Sequence, residues 1–391
     1  MKTIFWNFLS VFCLLFILTF KFEYSILPEI YLWINPFFEK IVSFSGEYLF
    51  GRKEGFNPEI SSDSLGLYIH AYNLIWISIS LTILLKVLFK NKEVNLRLYL
   101  FNSLVFYLSI QLLIYGLDKV FKAQFFFPEP NTLFTPIKDL SKDIMYWSTI
   151  GLSRGYSLFL GGAEILVAVF LWFRKTRLIA IVLGTGIMIN VVAVNFSFDI
   201  SVKVYSLFLL LSFIIPLSPY FNYLYGVFTQ KENIQKPKEE TEIFTKFQPK
   251  KWLLKAGIIS LFLVEGFTPY LQTGNFNDDT FERPKFHGAY SVIENEMGIK
   301  NVFIHRYGYL IFQNEKDEFQ DFKMELDSVN NKILIFDYRT KKKFPLNYKS
   351  EKNTLTWIEG KILNQEITLQ LNKVDLSNFQ KMQSGFNWVA K

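Results

Sequence analysis

The stretch "GLSRGYSLFLGGAEILVAVFLWFRKTR", Gly151 to Arg177, sets the class of fold. About 20 mostly apolar residues are enough to cross a bilayer, and the run Ser153–Phe173 meets that length before ending in the basic turn Arg174, Lys175, Arg177. Glu164 interrupts it. At 1.5 Å per residue, its ten-residue separation from Arg174 puts the carboxylate roughly 15 Å from the basic end, near the midplane. An ionisable group at that depth costs several kcal/mol unless it is paired, solvated or neutral. Two readings stand open: a structural hydrogen bond to a neighbouring helix, or a role in handling a ligand or proton.

Composition points the same way. Of 391 residues, 50% are hydrophobic and 18% aromatic, with 43 Phe, which is the profile of a membrane protein. The 20% of charged residues requires that part of the chain face water. The net charge of +7 does not gather on one folded unit. Lys and Arg cluster between apolar runs, as the positive-inside rule describes, which argues against a nucleic acid partner. With one cysteine, Cys13, no disulfide or dithiol shuttle forms within the chain. The three histidines, His70, His287 and His305, have no metal-ligand spacing, so no metal, haem or other cofactor is expected within the chain.

Seven spans are predicted: Ile4–Phe20, roughly Leu67–Phe89, Leu98–Leu117, Ser153–Phe173, Leu178–Phe196, Val202–Tyr220 (bent by Pro216 and Pro219), and one from Trp252 that Lys255 and Glu265 interrupt. The first follows Lys2 and lacks a small-residue cleavage site, so it is expected to be an uncleaved anchor. The loops holding Lys90, Lys92 and Arg97, then Arg174, Lys175 and Arg177, then the Lys/Glu-rich linker around Lys231–Lys251, are the basic ones and are assigned to the cytoplasm. The N-terminus is then cytoplasmic and the C-terminal part extracytoplasmic, in a multi-pass membrane protein. If the seventh segment only lies along the membrane, the C-terminal part is inside instead. Beyond residue 275, period-two alternation through Met324 and Leu326, an Asn330-Asn331 turn, Leu355 and Trp357, a Glu359-Gly360-Lys361 turn, and Ile367, Leu369 and Leu371 predict hairpins of an all-β soluble domain, a curled sheet or barrel. The divisions are 1–97, two spans with an extracytoplasmic loop; 98–228, four spans; 229–251, a cytoplasmic linker; 252–272, the seventh span; and 275–391, the β domain.

Polar residues of the third to fifth spans thin out toward the basic ends. Gln111 and Asn190 lie fourteen and thirteen residues from Arg97 and Arg177, at roughly 20 Å. Tyr115, Asp118, Lys119, Arg154, Tyr156, Asn195, Asp199 and Lys203 lie further out. Tyr156, Leu160 and Glu164 share one face. The pattern predicts a polar cavity open to the outside with Glu164 at its floor. The candidate ligand-binding residues are Glu164, Asn190, Tyr156, Gln111, Tyr115, Lys119, Arg154, Asn195, Asp199 and Lys203. The bland alternatives are close helix packing for Gly161 and Gly162, interfacial pairing for Asp118, Lys119, Asp199 and Lys203, and interhelical hydrogen bonding for Asn190 and Gln111.

The segments "YGLDKVFKAQFFFPEP" (Tyr115–Pro130), Gly151–Arg177 and "NVVAVNFSFDISVKV" (Asn190–Val204) resemble the DoxX family of bacterial membrane proteins. Gly116 and Lys119 match its Gly-x-x-Lys element. Gly161, Glu164, Arg174 and Arg177 match its helix with Gly and Glu followed by a basic turn. The resemblance covers about residues 98–225 and implies a four-helix membrane bundle. The ending also resembles the β extension of larger members, with Gly385-Phe386-Asn387-Trp388 where those carry Gly-Phe-His-Trp.

Two functions follow. In one, the chain is a non-catalytic envelope protein that sits in the lipid bilayer and presents a β domain to a partner protein or lipid. In the other, suggested by DoxX-type subunits that resemble the membrane part of thiosulfate:quinone oxidoreductases, Glu164 with Asn190 or Tyr156 receives a quinone or lipid head group. That second role needs a partner oxidoreductase subunit to carry the redox centre. No catalytic constellation is evident, so whether the chain is an enzyme is left open.

Overall fold

The structure, a computed structural model, describes residues 2–52, 56–90, 94–231, 235, 237, 251–293, 298–362 and 365–377. The chain divides into two compact units: Met1–Val120 with Leu158–Asn275, and Phe121–Ser157 with Phe276–Lys391. The linker expected over 229–251 falls largely outside the described residues, as does Gly385–Trp388.

The first unit is helical. It contains α1 (Lys2–Thr19), α2 (Tyr31–Tyr48), α3 (Leu65–Leu88), α4 (Arg97–Val120), most of α7 (Arg154–Trp172), α8 (Arg174–Ser197), α9 (Lys203–Leu217), α10 (Phe221–Phe228) and α11 (Lys251–Thr273). Among the described residues, six helical stretches are long and apolar enough to cross a membrane: Leu65–Leu88, Arg97–Val120, Arg154–Trp172, Arg174–Ser197, Lys203–Phe228 and Trp252–Thr280. The predicted first span is a shorter apolar helix, Thr3–Thr19. Pro216 sits inside α9, and a 3-10 turn, Ser218–Tyr220, holds Pro219 before α10. Local sequence accounts for the helix ends. Ser64 caps α3 by accepting the Leu67 amide at 3.1 Å, and Asp63 accepts the Lys203 and Val204 amides at the start of α9 (2.8 and 3.0 Å). α2 was not anticipated. It lies in what the sequence presents as a loop, and Pro36 and its charges hide its periodicity.

The second unit begins with α5 (Pro130–Leu133), a 3-10 turn (Ile137–Asp139) and α6 (Lys142–Gly151). Eight antiparallel strands follow: β1 (Gly288–Val292), β2 (Ile299–His305), β3 (Tyr309–Asn314), β4 (Phe319–Asp327), β5 (Lys332–Asp337), β6 (Lys342–Glu351), β7 (Thr354–Ile362) and β8 (Gln365–Lys373). They form a closed barrel in chain order, with Tyr290 opposite Lys373 and Val292 opposite Leu371 sealing β1 to β8. An eight-stranded barrel has an interior just wide enough for side chains to fill. Here Tyr290, Val302, Ile304, Leu310, Phe322, Ile333, Ile335, Leu346, Ile358 and Leu369 fill it, all at 1% exposure or less.

Two details differ from the sequence reading. Leu355 is buried as expected, but the inward partner on β7 is Ile358 rather than Trp357. Lys349 faces Trp357 while Ser350 faces Leu355, so Thr356 forms a bulge that turns the alternation over by one residue. Glu359, Gly360 and Lys361 are not a turn but continue β7. A Cβ on Gly360 would sit 2.6 Å from Leu346 Cδ2, so glycine there allows β6 to approach closely.

Candidate functional site

In the helical unit, two glycines bring two charges together. A Cβ on Gly116 would lie 2.9 Å from the Gly161 carbonyl oxygen, and one on Gly161 would lie 2.9 Å from Lys119 Cβ. With no Cβ at either position, α4 and α7 touch backbone to backbone. One helical turn further along each, Lys119 Nζ donates to Glu164 Oε2 at 2.8 Å. The two side chains are 9% and 6% exposed, so each charge is masked by the other and little by solvent. Lys119 Nζ also reaches the Tyr115 carbonyl at 3.4 Å and lies 5.5 Å from that ring's centre. Beside it, Asp118 accepts a hydrogen bond from the Tyr270 hydroxyl of α11.

A polar chain runs deeper. Gln111 Nε2 donates to the Tyr24 hydroxyl at 2.8 Å, and its Oε1 accepts from Tyr205 at 2.7 Å. Tyr205 and Tyr107 share a hydrogen bond of 2.9 Å. Glu265, also in α11, is buried and accepts the backbone amides of Ser25, Ile26 (2.9 Å) and Leu27 (2.8 Å). The strap between α1 and α2 is thereby tied to α11. Strap, α4, α9 and α11 enclose a cavity of about 560 Å³ lined by Lys21, Phe22, Tyr115, Asp118, Tyr205 and Glu265, among others.

Of the candidate residues, Tyr115 lines this cavity and Gln111 is bonded to Tyr205 on its wall. Lys119 and Glu164 pair with each other, and Glu164 is not on the lining. Asn190, Arg154 and Tyr156 are exposed. Asn195 is buried, with no hydrogen-bond partner at Nδ2 among the described residues. Lys203 pairs with Asp199 at 2.6 Å and lies 3.7 Å from Asp63. Tyr24, Tyr205, Tyr270 and Glu265 were not singled out. The rule that flagged Glu164, an acid within an apolar span, also flags Glu265. The tyrosines carry no such signal, because an amphipathic ring is tolerated in a span without an ionised group and tyrosine is in any case frequent at membrane interfaces.

The second unit holds a second polar cluster, around Glu129. Its carboxylate accepts from Arg306 Nε, from the Arg306 amide at 3.1 Å and from His287 Nε2 at 3.0 Å, while His305 Nε2 lies 3.8 Å away. Arg306 also donates to Asp278 and stacks over Phe126 with its guanidinium carbon 4.2 Å from the ring centre. Burial alone pushes the Glu129 acid up. The His287 hydrogen bond and the Arg306 and histidine charges outweigh it and hold the carboxyl down at about 2. Burial lowers the His305 imidazole against the opposing pull of Glu129. Among the described residues no group of three or more His, Cys, Asp or Glu is placed to hold a metal. This cluster fastens residues 126–129 to the barrel.

Fold and site together define a multi-pass helical membrane protein that carries a closed β-barrel. No family model and no solved structure matches the chain. A 125-residue stretch, 32% of the chain, is 32% identical to the uncharacterized protein YwoB of Bacillus subtilis (strain 168) and covers 79% of that protein. The chain belongs to the family of which YwoB is a member.

Proposed function

We propose that this is a DoxX-like protein of the bacterial inner membrane which anchors an extracytoplasmic β-barrel that docks an envelope partner, protein or lipid. The observation that carries the reading is the barrel: its interior is filled by its own side chains, so recognition falls to its outer surface. The DoxX-like character is supported by Gly116, Lys119, Gly161 and Glu164, which meet in one contact. The four-helix bundle is read over α4, α7, α8 and α9–α10. The six long helices become seven spans with Thr3–Thr19 as the first, whose 17 residues rise about 26 Å and approach the roughly 30 Å of a hydrocarbon core. The basic turn Arg174, Lys175, Arg177 sets the N-terminus inside and the barrel outside. Photo-crosslinkers placed at the exposed residues Tyr307, Val329 and Tyr338 in native membranes test the docking role. Discrete adducts at one or more sites are expected, and none at any site contradicts the role.

The 560 Å³ cavity favours a second reading, a quinone-linked membrane subunit acting with an oxidoreductase partner. With Glu164 engaged by Lys119, the head group would meet Tyr115 and Asp118 instead. Substrate-dependent quinone reduction in membranes that is unchanged in both Asp118→Asn and Glu164→Gln excludes it.

A further inference from the structure

α2 has two faces, and the fold uses only one. Tyr31, Asn35, Phe38, Val42, Ser45 and Gly46 are buried. Asn35 Nδ2 donates to the Thr19 carbonyl at 3.0 Å, at the end of α1. Phe38 packs edge-on to His70, with ring centres 5.2 Å apart, and Ser45 Oγ donates to Asn73 Oδ1 at 2.9 Å. All three contacts fall at the last turn of α1 and the first three turns of α3. The 24 residues of α3 rise about 36 Å, more than the roughly 30 Å of hydrocarbon. The excess length lets the end of α3 that carries α2 stand at the level of the head groups.

The outward side of α2 is itself divided. At 3.6 residues per turn, Trp33, Phe37, Phe44 and Tyr48 fall within about 60° of one another. All four are exposed, Trp33 at 85%. Lys40, Ser43 and Glu47 lie on the adjoining arc, on one side of this stripe, and are also exposed. The aromatic stripe continues onto a spanning helix: Phe50, just past α2, packs on Tyr72 of α3 (5.4 Å), and Tyr72 on Trp76 (6.3 Å). Trp76, Ile75, Ile79 and Ile83 are exposed along α3, the surface that a spanning helix gives to lipid.

We infer that α2 is an interfacial helix seated in the bilayer, with Trp33, Phe37, Phe44 and Tyr48 in the boundary between head groups and acyl chains and Lys40 and Glu47 in the head-group layer. A helix with an aromatic arc beside a charged arc takes this position, and Trp and Tyr are the residues that favour it. The seating has a consequence inside the protein. The strap that leads into α2 supplies Lys21 and Phe22 to the cavity and three amides to Glu265. Lipid contact at α2 thus holds one wall of the cavity. This goes beyond the docking reading and is independent of it.

The test is depth-dependent quenching on the full chain in phosphatidylcholine and phosphatidylglycerol vesicles. Single cysteines (Trp33→Cys, Phe37→Cys and Phe44→Cys) carry a small fluorophore. Cys13 is 1% exposed and its thiol is inert to labelling in the folded protein. Val329→Cys, in an exposed barrel turn, is the aqueous control. A nitroxide lipid labelled just below the head groups is expected to quench the α2 positions several-fold more than Val329, and aqueous iodide the reverse. Strong iodide quenching at α2 overturns the proposal. So does protection from both quenchers, which indicates a protein partner or second copy on that face, and so does strongest quenching by a nitroxide at the bilayer centre, which indicates a spanning helix. If Trp33→Cys fails to fold, Phe44→Cys gives the same reading from the other end of the stripe.

Discussion

Lys119→Met isolates the buried pair. It removes the ammonium, keeps an unbranched stem, and leaves the Glu164 carboxylate 6% exposed and without its cation. At the 2.8 Å separation, the attraction in an effective dielectric near 20 is about 6 kcal/mol before desolvation is counted. Removing one member of such a pair costs about 3–5 kcal/mol, because the surviving charge remains buried. At about 2–4 °C per kcal/mol, the unfolding midpoint should drop by on the order of 10 °C. Glu164→Gln should also lower it, since the buried Lys119 ammonium then loses its carboxylate partner. The double variant Lys119→Met/Glu164→Gln should recover most of the loss, the signature of direct coupling. Fluorescence-detected thermal unfolding of detergent-purified protein reads all four. An unchanged midpoint in Lys119→Met, or a double variant no more stable than the sum of the singles, refutes the pairing.

Gly161→Val should destabilise by about 1–3 kcal/mol, because the new side chain meets the Gly116 carbonyl and Lys119. Gly162→Ala, where a Cβ has nothing within 4 Å, should leave the same melting curve unchanged. Gln111→Leu strips the Tyr24 and Tyr205 hydroxyls of a shared partner and should cost about 1–3 kcal/mol in thermal unfolding. Glu129 titrates near 2 in the fold against an ordinary 4.5. Its folded pKa is depressed, so its contribution is complete above about 4.5 and is lost as pH falls toward 2. Circular dichroism melts of the full chain should show that loss in the wild type and a smaller one in Glu129→Gln.

The spans were legible because length and apolar content suffice to define them, and the β hairpins because period two survives in β4, β5 and β8. What failed did so for local reasons. The bulge at Thr356 shifts a register that no residue type announces. Gly360 carries the composition of a turn but serves a close strand approach. α2 carries Pro36 in its second turn and Glu39, Lys40 and Glu47 along its length, so hydropathy passes over it. At the site, depth along a helix identified Glu164 as costly and placed Lys119 further out toward the interface, but could not say that the two face each other, because depth carries no rotation. Asn190 and Gln111 lie at similar depth, yet one is exposed and the other fully buried. The clustering of His287, His305 and Arg306 on Glu129 depends on strand ends meeting a segment some 160 residues away in sequence, a closure that spacing does not encode.

The orientation of the chain is the claim on which the docking role depends. A membrane-impermeant thiol reagent applied to intact spheroplasts tests it with two variants that each add one cysteine to the native Cys13, Val329→Cys in the barrel and Lys175→Cys in the basic first turn of α8. Both positions are exposed, and the native Cys13 is buried. The account predicts that Val329→Cys labels in intact spheroplasts and that Lys175→Cys labels only after lysis; labelling in the reverse order would contradict it.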